Sequence, residues 1–360
     1  MTSLFLSGIP GVGKTAIIKR AQAIAHKLGH TVRSVSLGEI LSENAERAGI
    51  VNLMRASPAI QNSLRSGGLV HQCVEMVREF GSDDHVIVDS PLTLMTAESV
   101  PYTTFDFGDF TFFKKSGCDI DRIVTLIDDP HTIAKNLAAS DFATSIENIL
   151  VWNCNENNRA ADLASAYTKN VPIVTTKETA AVNLVKFLLD PKPNISYFGS
   201  PMSKIRDRAD FSELAKKIDS VKLDLQSYVV LITPMMIADL AAATLVEKAH
   251  TKDRDLTRLI GRQVNWVIGY FPVNVLSSGF TRELTEGELL GKNCALIHPE
   301  PDKTPFGQWN TQYLFKTKEE FFAAISDARK NNKYNSFQDF TLPDGTPRYA
   351  KIMEAAGQLI

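Results

Sequence analysis

The stretch Gly8-Ile9-Pro10-Gly11-Val12-Gly13-Lys14-Thr15 restricts what this chain can fold into more than any other feature. It satisfies the pattern G-x-x-x-x-G-K-[ST] and lies between an apolar, strand-like run, Ser3 to Ser7, and a helically spaced segment, Thr15 to Leu28. In that setting the glycines let the backbone curl until successive N–H groups and the helix N-terminus face phosphate oxygens. Lys14 adds a mobile positive charge, and Thr15 offers a hydroxyl to a magnesium ion. Gly8, Gly11, Val12, Gly13, Lys14 and Thr15 are therefore the expected triphosphate-binding residues, with Lys14 also catalytic, and ATP with Mg2+ is the expected ligand pair.

A strand feeding a helix through such a loop belongs to an α/β fold, and the rest of the chain keeps the alternation. Strand-length apolar runs recur at Thr31 to Ser36, His85 to Asp89, Arg122 to Ile127 and Val171 to Thr175. Between them the spacing predicts helices over Glu39 to Ala48, Pro58 to Phe80, Pro130 to Ala139, Ser145 to Tyr167 and Glu178 to Leu189. At Asp190-Pro191-Lys192-Pro193-Asn194 two prolines remove backbone donors and push their predecessors out of helix, which reads as a short stiff linker. Two domains are expected: residues 1–190, a linker at 191–194, and a smaller α/β domain over 195–360 with a helical tail. In the second, strands are predicted at Ile195 to Phe198, Tyr228 to Ile232, Val264 to Tyr270 and Cys294 to Ile297. Helices are predicted at Ala209 to Leu225, Ile237 to His250, Asp253 to Arg262, Thr281 to Leu290, Lys318 to Lys330 and Pro347 to Ala356.

Charge excludes several partners. Lys plus Arg number 39 and Asp plus Glu 41, a net of −2, so no overall positive field holds a nucleic acid or an anionic membrane. The four cysteines, Cys73, Cys118, Cys154 and Cys294, are far apart and lack the spacing of a disulfide framework or zinc site. The N-terminus has no signal-peptide pattern, so a cytoplasmic location is expected. The apolar run Tyr228 to Val246 is interrupted by Pro234 and Asp239, and a central Asp costs roughly 3 kcal/mol in a membrane, so it reads as strand, turn and buried helix.

Asp89 ends an apolar strand, where ligands of open α/β sheets bind. It can hold magnesium through water, or cap a helix with Ser90 before Pro91. The segments Gly8 to Thr15, Val35-Ser36-Leu37-Gly38-Glu39-Ile40-Leu41, Leu53-Met54-Arg55-Ala56-Ser57-Pro58 and Val86-Ile87-Val88-Asp89-Ser90 occur in the order and approximate spacing of archaeal-type adenylate kinases. The first domain resembles that family over most of residues 1–190. The resemblance implies that Arg55 and the Leu37 to Leu41 segment line a nucleoside monophosphate pocket, with Asp89 near the phosphates. Such kinases carry arginines in a lid after the strand that corresponds to Arg122 to Ile127, whereas Ile123 to Asn158 here contains only Lys135, with Arg159 just beyond. Asp106-Phe107-Gly108 matches a kinase tripeptide without its accompanying motifs and is read as coincidence. The aromatic cluster Tyr102, Phe105, Phe107, Phe110, Phe112 and Phe113 is read as packing or an interface.

In the second domain, Phe198-Gly199-Ser200-Pro201-Met202 ends the first strand in a turn with a hydroxyl, and Arg254-Asp255 opens a helix. The loop Asn274-Val275-Leu276-Ser277-Ser278-Gly279-Phe280-Thr281-Arg282-Glu283 then leaves the next strand, and Gly291-Lys292 precedes another. That order is similar to the nucleoside 2-deoxyribosyltransferase-like superfamily over residues 195–300. The resemblance implies that Glu283 attacks the anomeric carbon and that Asp255 is an acid near the base or sugar. Their plainer readings are a solvated helix carboxylate and a helix cap. Ser277 stands where transferases of free nucleosides generally have an aspartate that contacts the 5′ hydroxyl. An aspartate there would repel a phosphate dianion, whereas Ser277, Ser278 and the loop N–H groups around Gly279 could bind one. The branch resembled is thus the nucleoside 5′-monophosphate N-hydrolases, with Ser200 and Arg282 as candidate helpers.

The expectation is a bifunctional enzyme of nucleotide metabolism: an ATP-dependent nucleoside monophosphate kinase-like domain fused to a nucleotide N-glycosidase or deoxyribosyltransferase-like domain. The alternative is a nucleotide-gated effector whose first domain only binds or senses a triphosphate. Nucleoside monophosphates and a nucleoside triphosphate are the expected partners, no nucleic acid or membrane is expected, and a homo-oligomer follows from the second resemblance.

Overall fold

The computed structural model describes residues 2–50, 56–66, 68–96, 99–168, 173–233, 260–275, 277–300 and 311–357. The chain divides between Leu189 and Asp190 into two compact units.

The first unit runs β1 (Ser3–Ser7), α1 (Lys14–Lys27), β2 (Val32–Ser36), α2 (Leu37–Arg47), α3 (Pro58–Ser66), α4 (Leu69–Arg78) and β3 (His85–Asp89). It continues with β4 (Thr93–Met95), β5 (Pro101–Thr103), α5 (Phe107–Lys115), β6 (Arg122–Ile127), α6 (Pro130–Ala138), α7 (Ile146–Tyr167), β7 (Ile173–Thr176) and α8 (Lys177–Leu189). Its five-stranded sheet has the order β2-β3-β1-β6-β7, with every pairing parallel. β1 and β6 are buried along their whole length, as continuous apolar strands covered on both faces must be. Phe5, Val86, Val88 and Ile123 from the sheet pack with Val74, Phe110 and Leu163 from the helices.

The single helix expected over Pro58 to Phe80 is two helices, because Gly68 takes a left-handed φ of 97° and begins α4. The hairpin β4–β5 and the helix α5 were not foreseen. Asp106 caps α5 in a reciprocal capping box with Asp109, which accounts for an Asp before Phe107 and Gly108 without any catalytic role. Phe105, Phe110 and Phe113 of the aromatic cluster are buried around Phe5, whereas Phe107 and Phe112 stay exposed.

The second unit runs β8 (Ile195–Gly199), α9 (Met202–Ile205), α10 (Phe211–Gln226), β9 (Val230–Ile232), β10 (Trp266–Tyr270), α11 (Ser278–Leu289) and β11 (Asn293–Ile297). After these come β12 (Tyr313–Phe315), α12 (Lys318–Asp327), a 3-10 segment (Asn332–Phe340) and α13 (Ala350–Gly357). Its parallel sheet has the order β12-β11-β10-β8-β9. Counted along the chain, that order is 2-1-3-4-5, the doubly wound arrangement whose ligand crevice opens at the carboxyl ends of the first and third strands, here β8 and β10. Trp266 stacks on Phe337 at 4.5 Å in a core shared with Ile218, Leu225 and Phe340. The helix expected at Ile237 to His250 and most of that at Asp253 to Arg262 lie outside the described residues.

The proline-rich segment is tethered at its first residue. Asp190 accepts from Arg348 Nε at 2.7 Å and Nη2 at 3.0 Å, from the Tyr349 hydroxyl at 2.7 Å and from the Lys192 N–H at 2.9 Å. All four cysteines are free. No described helix is long and apolar enough to cross a membrane. The described residues contain no cluster of three or more His, Cys, Asp or Glu able to hold a metal ion.

Candidate functional site

β1 delivers the chain into the glycine-rich loop at the carboxyl end of the first sheet, and three residues there adopt positive φ: Gly8 at 145°, Gly11 at 82° and Gly13 at 93°. Each conformation is one that L side chains resist. Space denies them as well: a Cβ on Gly8 would lie 2.8 Å from the Leu126 carbonyl oxygen, and one on Gly11 would lie 3.1 Å from Leu137. Val12 is fully buried beneath the loop, and its N–H donates to the Ile9 carbonyl. Gly13 caps α1, so the free N–H groups of the first helical turn point out of the loop.

Lys14 Nζ donates to the Gly8 carbonyl at 2.7 Å and lies 3.8 Å from Asp89 Oδ1. Asp89 is buried at the end of β3; its Oδ2 accepts from Ser36 Oγ at 3.5 Å, while Oδ1 has no hydrogen-bond partner. Burial pushes its carboxyl above the usual range and Glu39 adds to this, whereas Lys14 and the Ser36 hydroxyl oppose it. Asp89 caps no helix: the chain continues into β4, and it is Ser36 that caps α2.

A cavity of about 900 Å³ opens beside the loop. Lys14, Thr15 and Asp89 line it, together with Leu37, Gly38, Glu39 and Leu41 of α2 and with Arg65, Leu94 and Thr104. The Leu37 to Leu41 segment thus shares a cavity with the loop lysine, whereas Arg55 lies outside the described residues. Among the described residues that line it, the cations are Lys14 and Arg65 and the carboxylates are Glu39, Glu43, Glu46 and Asp89. Arg65 had no part in the sequence reading. It is held 3.3 Å from Asp109 and 5.3 Å from the centre of the Phe105 ring, and burial lowers its pKa against the pull of Asp109. No motif surrounds it; its place at the cavity depends on an ion pair between α3 and Asp109 of α5, 44 residues away.

Where a lid would be, α6 lies against the phosphate loop: Asn136 Nδ2 donates to the Gly11 carbonyl at 2.7 Å, and Leu137 packs under Gly11. Arg159 is engaged elsewhere, with Nε on the Phe105 carbonyl at 2.9 Å and its guanidinium 4.6 Å from the centre of the Phe107 ring. The residue that sequence reasoning most plainly missed is Glu156. Fully buried on α7, it accepts from the Gly8 N–H at 2.9 Å. Its surroundings carry no sequence signal, since its partners lie up to 148 residues away.

These features fit a triphosphate with magnesium. A Cβ at Gly8 would collide with backbone at the start of the cradle, a lysine stands at its mouth, and a buried carboxylate oxygen without a hydrogen-bond partner faces that lysine. Lys14 and the N–H groups around Gly13 would hold the phosphates, and Thr15 and Asp89 would hold the ion.

In the second unit, Ser277 caps α11: its Oγ accepts from the Phe280 N–H at 3.4 Å and its carbonyl from Thr281 Oγ1 at 3.0 Å. This cap starts the helix at Ser278 instead of Thr281. Ser278 and Gly279 form an exposed first turn. The Phe280 ring fills the space over Gly199 and Gly269, at the switch point between β8 and β10, and a Cβ on either glycine would collide with it. Glu283, one turn further on, is half-buried, and its Oε2 lies 2.9 Å from where a Cβ on Gly199 would stand. Ser200 follows directly on Gly199 and is half-buried. Glu283, Ser200 and the capped turn are thus associated with the carboxyl edge of the sheet, whereas Asp255 lies outside the described residues. His298, just past β11, is also buried there: its Nδ1 accepts from the Glu300 N–H at 3.1 Å, its ring lies 5.4 Å from Phe271, and burial lowers its pKa.

No protein-family model matches this chain. Among solved structures, a gluconokinase from Sinorhizobium meliloti 1021 is similar at a TM-score of 0.30 and 11% identity, over 53% of this chain and 90% of that one. At that level the likeness bears on neither fold nor activity.

Proposed function

We propose that the first unit transfers the terminal phosphoryl group of ATP to a small acceptor in the 900 Å³ cavity, a nucleoside monophosphate on the archaeal-type adenylate kinase resemblance. The observation that carries this reading is that Lys14, Thr15 and the buried Asp89 line one cavity together with α2 and Arg65, next to a loop whose glycines take positive φ. The loop N–H groups and Lys14 orient the phosphates, and Arg65 meets the anionic end of the acceptor. Thr15 and Asp89 would hold a magnesium ion, which would supply charge neutralisation at the phosphate oxygens.

For the second unit the reading is cleavage of the N-glycosidic bond of a nucleoside 5′-monophosphate. The observation in its favour is Glu283 against Gly199, at the switch point of a doubly wound sheet. As the bond from C1 to the base breaks, the base leaves with the electron pair and takes up a proton. The Glu283 carboxylate stabilises or traps the sugar, and water then releases it. The nucleotide-gated alternative is favoured by one feature: the described residues of the segment Ile123 to Asn158 bring no cation to the cavity.

Incubation with ATP, magnesium and a panel of ribo- and deoxynucleoside monophosphates, followed by product separation, tests all three. Diphosphates support phosphoryl transfer and free bases support glycosidic cleavage. Free base without diphosphate supports the gated effector, and neither product refutes both activities.

A further inference from the structure

We propose that Glu156 is the positioning residue of the phosphate loop, holding Gly8 in register with the wall of the acceptor cavity through one buried carboxylate. This rests on the reading of the first unit as a triphosphate-binding domain. Glu156 Oε1 accepts from the Gly8 N–H at 2.9 Å and the Leu92 N–H at 2.8 Å. Its Oε2 accepts from the Thr93 N–H at 2.8 Å and the Thr93 hydroxyl at 2.6 Å. The side chain has no solvent exposure.

Three of these four partners are backbone N–H groups, which can only donate, and the fourth is a hydroxyl that can donate or accept, so every contact of the carboxyl group is satisfied within the fold. Burial pushes the Glu156 carboxyl up, while these donors and the charge of Lys14 hold it down. A carboxylate is a costly way to fill a core, and the site is defined by what the carboxylate joins.

On one side is Gly8, whose own carbonyl receives Lys14 Nζ at 2.7 Å. Fixing the Gly8 N–H therefore fixes where the loop begins and where its lysine rests. On the other side are Leu92 and Thr93, the residues between Pro91 and Leu94, both of which line the cavity. Trp152, one helical turn before Glu156 on α7, donates its Nε1–H to the Thr93 carbonyl at 3.0 Å, so Thr93 is held at both ends by the same helix. A fully satisfied buried network of this kind behaves as a rigid body. The donor loop and the acceptor wall are thus set by one side chain that touches neither nucleotide nor acceptor.

The test is displacement of a fluorescent ATP analogue by MgATP, measured on the full chain well below each variant's melting temperature. Glu156→Gln keeps the size but must turn its NH2 group either to the Gly8 and Leu92 N–H groups or to the Thr93 N–H, each of which needs an acceptor, and we expect it to weaken MgATP binding about tenfold. Thr93→Val, which removes one of the four Glu156 contacts, is expected to weaken it about threefold, with the double variant no weaker than Glu156→Gln alone. If Glu156→Gln does not fold, Thr93→Val carries the test by itself. Variants that bind MgATP as tightly as the wild type, or losses that simply add, overturn the inference and leave the functional reading standing. A wild-type protein that does not bind MgATP overturns that reading and this inference with it.

Discussion

The Lys14 ammonium lies 3.8 Å from Asp89 Oδ1 and 2.7 Å from the carbonyl oxygen of Gly8. The loop's cation is thus shared between its own cradle and the carboxylate of a neighbouring strand, and on the proposed reading a triphosphate would have to draw it away from both. Replacing Lys14 with Met removes charge-assisted bonds of about 1.5–3 kcal/mol. The expected result is ATP binding about 10- to 100-fold weaker with an unchanged circular dichroism spectrum. Binding within twofold of wild type would show that the loop does not hold phosphates.

Asp89 illustrates a conflict between stability and function. Burial raises its folded pKa above the unfolded value, so folding favours the neutral acid, and stability falls as pH rises through the folded pKa. Asp89→Asn removes that penalty at neutral pH. The variant is expected to be more stable by about 1 kcal/mol while losing the magnesium dependence of ATP binding. Thermal melts and binding titrations with and without magnesium check both halves; a destabilised variant that still responds to magnesium would contradict both.

Asp190 has the opposite sign. Burial alone would raise its carboxyl, but the hydrogen bonds from Arg348, Tyr349 and the Lys192 N–H outweigh this and hold it below the ordinary range. Its contribution is therefore complete above the unfolded carboxylate value of about 3.9 and is lost as pH falls through the lower folded value. Arg348→Ala, which strips a bidentate partner from a side chain only 11% exposed, is expected to destabilise the second unit by about 3 kcal/mol. Asp190→Asn should flatten the acid limb of a melting-temperature profile between about pH 2 and 5; an unaltered limb would remove Asp190 from its cause.

Glu283 and Gly199 provide the test in the second unit. Glu283→Ala is expected to abolish release of free base from nucleoside monophosphates while leaving ATP binding by the first unit unchanged. Gly199→Ala places a methyl group into the Phe280 ring and against Glu283 Oε2. The expected cost is about 1–3 kcal/mol of stability together with loss of base release. Product chromatography and thermal denaturation read both, and base release that survives in Glu283→Ala would exclude this carboxylate as the nucleophile.

The sequence by itself determined the local structure. β1, β3 and β6 occupy the apolar runs read for them, because a strand buried on both faces has to be continuously apolar. The conformation of the glycine-rich loop was equally legible, since glycine is favoured where φ turns positive, as it does at Gly8, Gly11 and Gly13. Helix starts were less legible: Ser36 and Ser277 begin α2 and α11 two and three residues early by capping, which apolar spacing does not register. Only the tertiary structure decided that Arg65 lines the same cavity as Lys14, that Phe280 fills the gap over two glycines, and that Glu156 grips Gly8. A buried arginine, phenylalanine or glutamate looks like any other in its own segment. Its role is set by partners brought together from distant parts of the chain, and pairings of that range leave no periodicity to read.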